Sequence, residues 1–266
     1  MIISEFLNSF DDTKLYVRKS FVNTAKAVLI IAHGLTEHCN RYEHLIKNLN
    51  MDGFNTYLFD HRGHGKSDGE RGHCNNFHEI VNDINFMIDI AKKENENLPV
   101  FLLGHDLGGL AIAEFAINFP HKANGFIMSS ALTNNISNTY ITNDVHNLIC
   151  SDKSVVNDYI KDSLIVKEIS DNLYIEIKNT LKSLNEHINK FEFPVLILHG
   201  KEDKLILCDD SKNFYNKISS SDKTLKIYDG LYHEILNEPD RDYIIDDISQ
   251  WIKSHLYHII LFKYIW

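Results

Sequence analysis

Val100-Phe101-Leu102-Leu103-Gly104-His105-Asp106-Leu107-Gly108-Gly109 is the stretch that decides the fold. An apolar run enters Gly-x-Asp-x-Gly, and a helical pattern over residues 107–119 leaves it and ends before Pro120. Strand, sharp turn and helix in that order have the shape of a nucleophile elbow. The central residue of such a turn sits in a strained, left-handed conformation, so the positions two before and two after it must be small. Gly104 and Gly108 meet that demand. The turn also aims its central side chain at a helix N-terminus, where the dipole favours an anion. Asp106 holds that position. Asp tolerates left-handed backbone and caps helices well, so either preference would explain it without chemistry. The chemical alternative is a carboxylate nucleophile.

Outward from the elbow, short apolar runs alternate with helical patterns. Residues 27–32 (AVLIIA), 55–60 (NTYLFD), 125–130 (GFIMSS), 195–199 (VLILH) and 224–228 (TLKIY) read as strands beside 100–103. Runs this apolar suit strands buried on both faces of a parallel sheet. Residues 2–8 and 14–20 add a hairpin turned at Asp11-Asp12. Helical periodicity fills 42–51, 77–92, 107–119, 209–217 and 240–256. The fold class is therefore α/β, with a mostly parallel, doubly wound, eight-stranded sheet flanked by helices.

One segment breaks the alternation. Residues 134–193, roughly sixty residues of helical, Asn- and Lys-rich sequence, far exceed an ordinary connection. They read as a helical cap inserted over the C-terminal ends of the strands, leaving 1–133 and 194–255 as the core. A peripheral decoration is the alternative. Residues 256–266 (LYHIILFKYIW) form an apolar tail too short to span a bilayer. It is read as extending the last helix, docking in a groove or meeting a membrane surface.

The 266 residues are 44% hydrophobic and 24% charged, which places the chain among globular proteins. A net charge of −10 argues against a Lys/Arg surface for phosphates, so no nucleic-acid partner is expected. No apolar run is long enough to span a membrane, and the first residues do not read as a signal peptide. Cys39, Cys74, Cys150 and Cys208 are widely spaced with no CxxC pair, which suits free thiols in a reducing cytoplasm. Fifteen histidines invite a metal site, but Gly63 and Gly65 break any helix that would align His61 with His64. No metal and no cofactor is expected.

Two further strand ends carry complementary chemistry. Residues 195–203 (VLILHGKED) place Asp203 in a loop after one strand, and 228–234 (YDGLYHE) place His233 after the last. Elbow residue, then acid, then His is the chain order of α/β-hydrolases. In that order His233 activates water and Asp203 fixes its tautomer.

The chain resembles the monoacylglycerol lipase and lysophospholipase branch of the α/β-hydrolases over residues 14 to about 256. The matching stretches are His33-Gly34-Leu35-Thr36-Glu37-His38 with Arg41-Tyr42, residues 60–71 (DHRGHGKSDGER), the elbow, the Asp203 loop and residues 223–236 (KTLKIYDGLYHEIL). Residues 155–164 (VVNDYIKDSL) resemble the branch within the cap. The resemblance implies an α/β-hydrolase fold and a small-molecule or lipid-like substrate. It also implies an oxyanion hole formed by the backbone N–H groups of Leu35 and Leu107. Glu37, His38 and Arg41 would brace the oxyanion loop, with a surface ion-pair cluster as the alternative. His33, Gly34 and Tyr159 belong to the same substrate-binding or loop-bracing set. The cap would supply an apolar acyl pocket, and cap or tail would give any membrane-surface contact.

The chain departs from the branch at Asp106, where the branch carries Ser. A carboxylate attacking an ester carbonyl would give a mixed anhydride; it is better suited to displacement at saturated carbon. Haloalkane dehalogenases and epoxide hydrolases use Asp in that way. Yet Leu107 stands where dehalogenases usually place a halide-binding Trp, and residues 33–36 lack the Pro usual in epoxide hydrolases. Tyr140, Tyr159 and Tyr174 are the cap tyrosines that could donate a proton to an epoxide. Three readings follow: a hydrolase of carboxylic esters or lipids, an Asp-nucleophile hydrolase of epoxides or alkyl halides, and a non-catalytic ligand-binding homologue.

Overall fold

β1 (Ile2–Asn8) and β2 (Lys14–Ser20) form the expected hairpin, with Ile2 opposite Ser20 and Asn8 opposite Lys14. A computed structural model describes residues 1–136 and 145–263; of 257–263 only the helical backbone is described. The remaining strands are β3 (Ala27–Ala32), β4 (Phe54–Phe59), β5 (Val100–His105), β6 (Gly125–Ser129), β7 (Val195–Gly200) and β8 (Lys223–Tyr228). They make one eight-stranded sheet in the order β1-β2-β4-β3-β5-β6-β7-β8. The β1–β2 and β2–β4 pairs are antiparallel and the other pairs parallel. β3 to β7 are buried along their whole length, which explains why their sequences are mostly apolar rather than alternating.

Helices cover both faces. α1 (Glu43–Met51) and α7 (Arg241–Lys263) pack Leu45, Leu49, Ile244 and Ile248 against one face. α2 (Phe77–Glu94) and α3 (Leu107–Asn118) pack Ile80, Ile84, Leu110 and Phe115 against the other, where α6 (Cys208–Lys217) adds Phe214. Each such fully buried side chain contributes about 1.5–3 kcal/mol.

Between β6 and β7 the chain adds α4 (Lys153–Lys161) and α5 (Asp171–His187). Asp152 caps α4 through the Ser154 N–H, and Ser170 caps α5 through the Leu173 N–H. Three main-chain bonds tie this segment to strand-end loops: Glu234 N–H to Ile149 O at 2.7 Å, Val166 N–H to Thr36 O at 2.8 Å and Ser170 N–H to Gly72 O at 2.9 Å. Tyr140 lies outside the described residues.

Of the three readings of the tail, the described residues follow the first. α7 continues to Lys263 and takes in most of the apolar tail, because residues 241–263 contain no Gly or Pro to stop it. Among the described residues no helix is long and apolar enough to cross a membrane. All four cysteines are unbridged. Burial pushes the Cys74 and Cys150 thiols up to about 12, which leaves them unreactive.

Candidate active site

The site grows from the turn between β5 and α3. Asp106 has φ +49° and ψ −113°. The positive φ is what an elbow requires, but ψ lies outside the left-handed helical well, so tolerance of that well does not explain the residue. The flanking glycines are enforced by contact. A Cβ on Gly104 would lie 2.3 Å from the Gly108 carbonyl oxygen, and one on Gly108 would lie 2.1 Å from that of Ala32. Nor does the Asp106 side chain cap α3. Its Oδ2 accepts the N–H of Leu35 at 3.0 Å and lies 3.9 Å from Nε2 of His233. The side chain is thus directed at the Leu35 N–H and His233 rather than at the end of its own helix.

The loops after β7 and β8 complete the row. His233 Nδ1–H donates to Asp203 Oδ2 at 2.8 Å. The other oxygen of Asp203 accepts the N–H groups of Leu205 at 2.8 Å and Ile206 at 3.0 Å, which locks the carboxylate. A buried imidazole thus sits between two buried carboxylates. Burial works against charge on His233, but Asp203, then Asp106 and Glu234, outweigh it and raise His233 to about 9. That direction favours the imidazolium at neutral pH. Burial works against the Asp203 charge too, yet His233 and His199 hold that carboxyl far below its ordinary value.

The loop after β3 faces this row. Leu35 N–H is the donor that Asp106 occupies. Leu107 opens α3, where first-turn N–H groups have no acceptor within the helix. Glu37 Oε1 accepts the Gly34 N–H and the Tyr42 hydroxyl, both at 2.6 Å. Arg41 Nε donates to Glu37 Oε2 at 3.1 Å, and its Nη2 bonds Glu234 beside His233. The guanidinium lies 4.9 Å from the Tyr159 ring, and the Tyr159 hydroxyl pairs with Thr36 Oγ1 at 2.7 Å. Burial disfavours the Arg41 charge, but Glu234 and Glu37 raise its pKa further. Glu37 and His38 are buried and Arg41 nearly so, which overturns the surface-cluster alternative.

The structure does not bring every expected residue to the cavity. Gly34, Leu35, Glu37, Asp106, Tyr159 and His233 line it. His38 turns away and its Nε2–H donates to Asp162 at 2.8 Å, bracing the loop against the end of α4. His33 sits behind the loop, its ring 4.3 Å from His61 and 5.6 Å from His64. Its Nε2 accepts the His61 N–H at 2.9 Å. Among the described residues no group of three or more His, Cys, Asp or Glu side chains could hold a metal ion.

Val145, Ile149, Tyr159 and Leu205 give the cavity an apolar wall, and the space left is about 10 Å³, on the order of one water. A second cavity of about 150 Å³ shares Thr36, Val145 and Tyr159 and runs on between Ile160, Ile165 and Val166. A wider groove between β8 and α7, about 560 Å³, holds none of these groups. Three site residues escaped the sequence reading: Glu234, His105, whose ring lies 4.7 Å from that of His233, and His199 beneath Asp203. The available signal was position, since His105 and His199 are polar residues at the C-terminal ends of otherwise non-polar strands.

Comparison with known proteins gives the chain its family. Residues 23–240 match the family described as serine aminopeptidase, S33. The chain belongs to that family. Among its relatives, a monoacylglycerol lipase from Mycolicibacterium smegmatis is 30% identical over 87% of this chain and 89% of its own length. A human monoglyceride lipase is 32% identical over 87% of this chain and 84% of its own. The crystal structure of a Paleococcus ferrophilus monoacylglycerol lipase superposes with a TM-score of 0.81 at 30% identity, covering 91% of this chain and 99% of that one. This S33-family chain has the α/β-hydrolase fold and is an enzyme of that type.

Proposed function

We propose that this enzyme hydrolyses lipid-like carboxylic esters of the monoacylglycerol kind, with Asp106, His233 and Asp203 as its catalytic residues. The observation that carries the reading is the row of Leu35 N–H, Asp106, His233 and Asp203 beneath an apolar wall from residues 145–159. The names of the relatives, monoacylglycerol and monoglyceride lipases, support the substrate class. In this reading residues 134–193 are a cap, and the 150 Å³ cavity beside Tyr159 receives part of the acyl chain. Exposed Ile160 and Ile175 on the cap helices support contact with a lipid surface, and four free thiols suit a reducing cytoplasm.

Asp106 then acts as a base. Its carboxylate takes a proton from water, and the resulting hydroxide attacks the ester carbonyl carbon. Leu35 N–H, released by Asp106, and Leu107 N–H hold the oxyanion. His233 gives its Nε2 proton to the leaving alcohol, and Asp106 returns the proton across the 3.9 Å gap to reset the pair.

One observation favours a second reading. Asp106 Oδ2 already occupies Leu35 N–H, where a carbonyl oxygen would need to sit. If the other oxygen attacked an epoxide or alkyl halide, the resulting alkyl ester would have its carbonyl oxygen in that site. Esterification would also remove the Asp106 charge, one cause of the high His233 value, and so free His233 to activate water.

The deciding experiment is fatty-acid release from a monoacylglycerol by the chain, by Asp106→Ser and by His233→Ala. Slow release by the chain, a rise of about 100-fold or more in Asp106→Ser and loss in His233→Ala are expected, since placed acid–base groups contribute about 10²–10⁴ in rate. Release by neither the chain nor Asp106→Ser would overturn the ester reading. Intact mass of His233→Gln after exposure to epoxides and haloalkanes tests the second reading, which requires an adduct on Asp106.

A further inference from the structure

Asp203 receives two imidazoles, and only one of them faces the cavity. His199 is the penultimate residue of β7 and is fully buried. Its Nε2 lies 3.1 Å from Asp203 Oδ2, the same oxygen that holds His233 Nδ1 at 2.8 Å. It also lies 2.9 Å from the Ile206 carbonyl. A carboxylate and a carbonyl only accept, so Nε2 carries the hydrogen, while Nδ1 meets the Ser211 hydroxyl of α6 at 2.7 Å.

We propose that His199 is a positioning residue: by sharing Asp203 Oδ2 with His233, it sets how firmly Asp203 holds the His233 proton. A carboxylate oxygen that serves two N–H donors is a weaker acceptor toward each. Removing one donor concentrates its charge on the other. His233 is otherwise surrounded by Asp203, Asp106, Glu234 and the His105 ring, and His199 by Asp203, Ser211 and Asp210. Asp203 and Asp106 both favour the cationic form of His233, and His199 competes with it for the Asp203 oxygen. His199 is the group that touches the shared oxygen. Its link to Ser211 also ties the Asp203 loop to α6, so the acid is fixed from outside the cavity. The kinetic consequence rests on the proposed role of His233, but the effect on its proton does not.

The test is histidine NMR on the full chain, following the titration of His233 in His199→Phe and His199→Gln. Phe fills the space without a donor; the Gln amide can place an N–H near the position of Nε2. The His233 midpoint should rise by about half to one pH unit in His199→Phe and stay within about 0.2 unit in His199→Gln, the scale of one hydrogen bond to a charged group. Where His199→Phe does not fold, Ser211→Ala gives the milder version, with a smaller shift in the same direction. An unmoved midpoint in the folded donor-free variant, or equal shifts in Phe and Gln, overturns the proposal. The acid limb of ester hydrolysis in the Asp106→Ser background should move with the midpoint. If the midpoint moves but no variant hydrolyses an ester, the functional reading falls and the role of His199 stands.

Discussion

Two sets of buried histidines flank the candidate site in opposite surroundings. His33, His61 and His64 pack together behind the loop after β3 and bond to main-chain groups. His199 and His233 share a carboxylate oxygen. All are fully or almost fully buried. Burial, then the neighbouring rings, holds His33 well below its ordinary value; burial is the main cause that brings His61 to about 3 and His64 to about 4. The same burial acts on His233, yet Asp203 and Asp106 carry it to about 9. Depth therefore does not decide whether an imidazole is charged; its partner does. The molecule uses both outcomes, with neutral rings to hold a loop and a charged ring to hold a proton.

The largest effect that could break this comparison lies on the acid side. Unfolded, each of His33, His61 and His64 titrates near 6.5. Their folded values are lower, so below pH 6.5 the unfolded chain binds more protons and stability falls with pH. Each group costs about 1.4 kcal/mol per pH unit once pH is well below 6.5, so His61 and His64 together cost about 4–5 kcal/mol between pH 6.5 and 4.5, and His33 adds to the loss in the same direction, against the roughly 5–15 kcal/mol that domains possess. Urea unfolding at fixed pH should show this loss, and His64→Gln should reduce its slope by about a third. Stability unchanged down to pH 4.5 would mean that the three rings are not held neutral.

A smaller effect of opposite sign belongs to His233. Its folded value is raised, so its contribution is complete below pH 6.5 and is lost as pH climbs through about 9. About 3 kcal/mol should disappear over that window. Asp106→Asn removes one cause of the raised value, so it should lower the His233 midpoint in NMR and shrink the alkaline loss. A midpoint that stays near 9 in Asp106→Asn would assign the effect to Asp203 and Glu234.

What the sequence discloses of these two sets follows from how local each cause is. Gly104 and Gly108 are legible because a turn two residues either side of Asp106 leaves no room for a Cβ. Asp203 and His233 are legible because they follow apolar strands in an informative order. The direction of the Asp106 carboxylate is not legible, since it depends on a ψ of −113° and on Leu35, 71 residues away. Glu234 is invisible as a partner of Arg41 across 193 positions. Burial of Glu37, His38 and Arg41 could not be foreseen, because charged residues in a loop read as surface until something covers them. The cover comes partly from residues 145–166, the segment whose sequence announces helices without saying where they dock.

The smallest test concerns what couples the two sets. Arg41 bridges Glu37, in the loop that His33 supports, to Glu234, in the loop that carries His233, and Tyr159 lies over it. Tyr159→Phe keeps the ring on the guanidinium and removes only the hydroxyl that pairs with Thr36. The buried Thr36 hydroxyl is then left without that partner, at a cost of about 1 kcal/mol. Neither histidine set touches Tyr159 through the bonds that set its charge, so both pH slopes should keep their signs and sizes. Urea unfolding of Tyr159→Phe at pH 5, 7 and 9 should give three curves displaced by the same amount. A displacement that grows toward one end would show that α4, through Tyr159 and Arg41, also tunes that set, so that the two surroundings are not separately controlled.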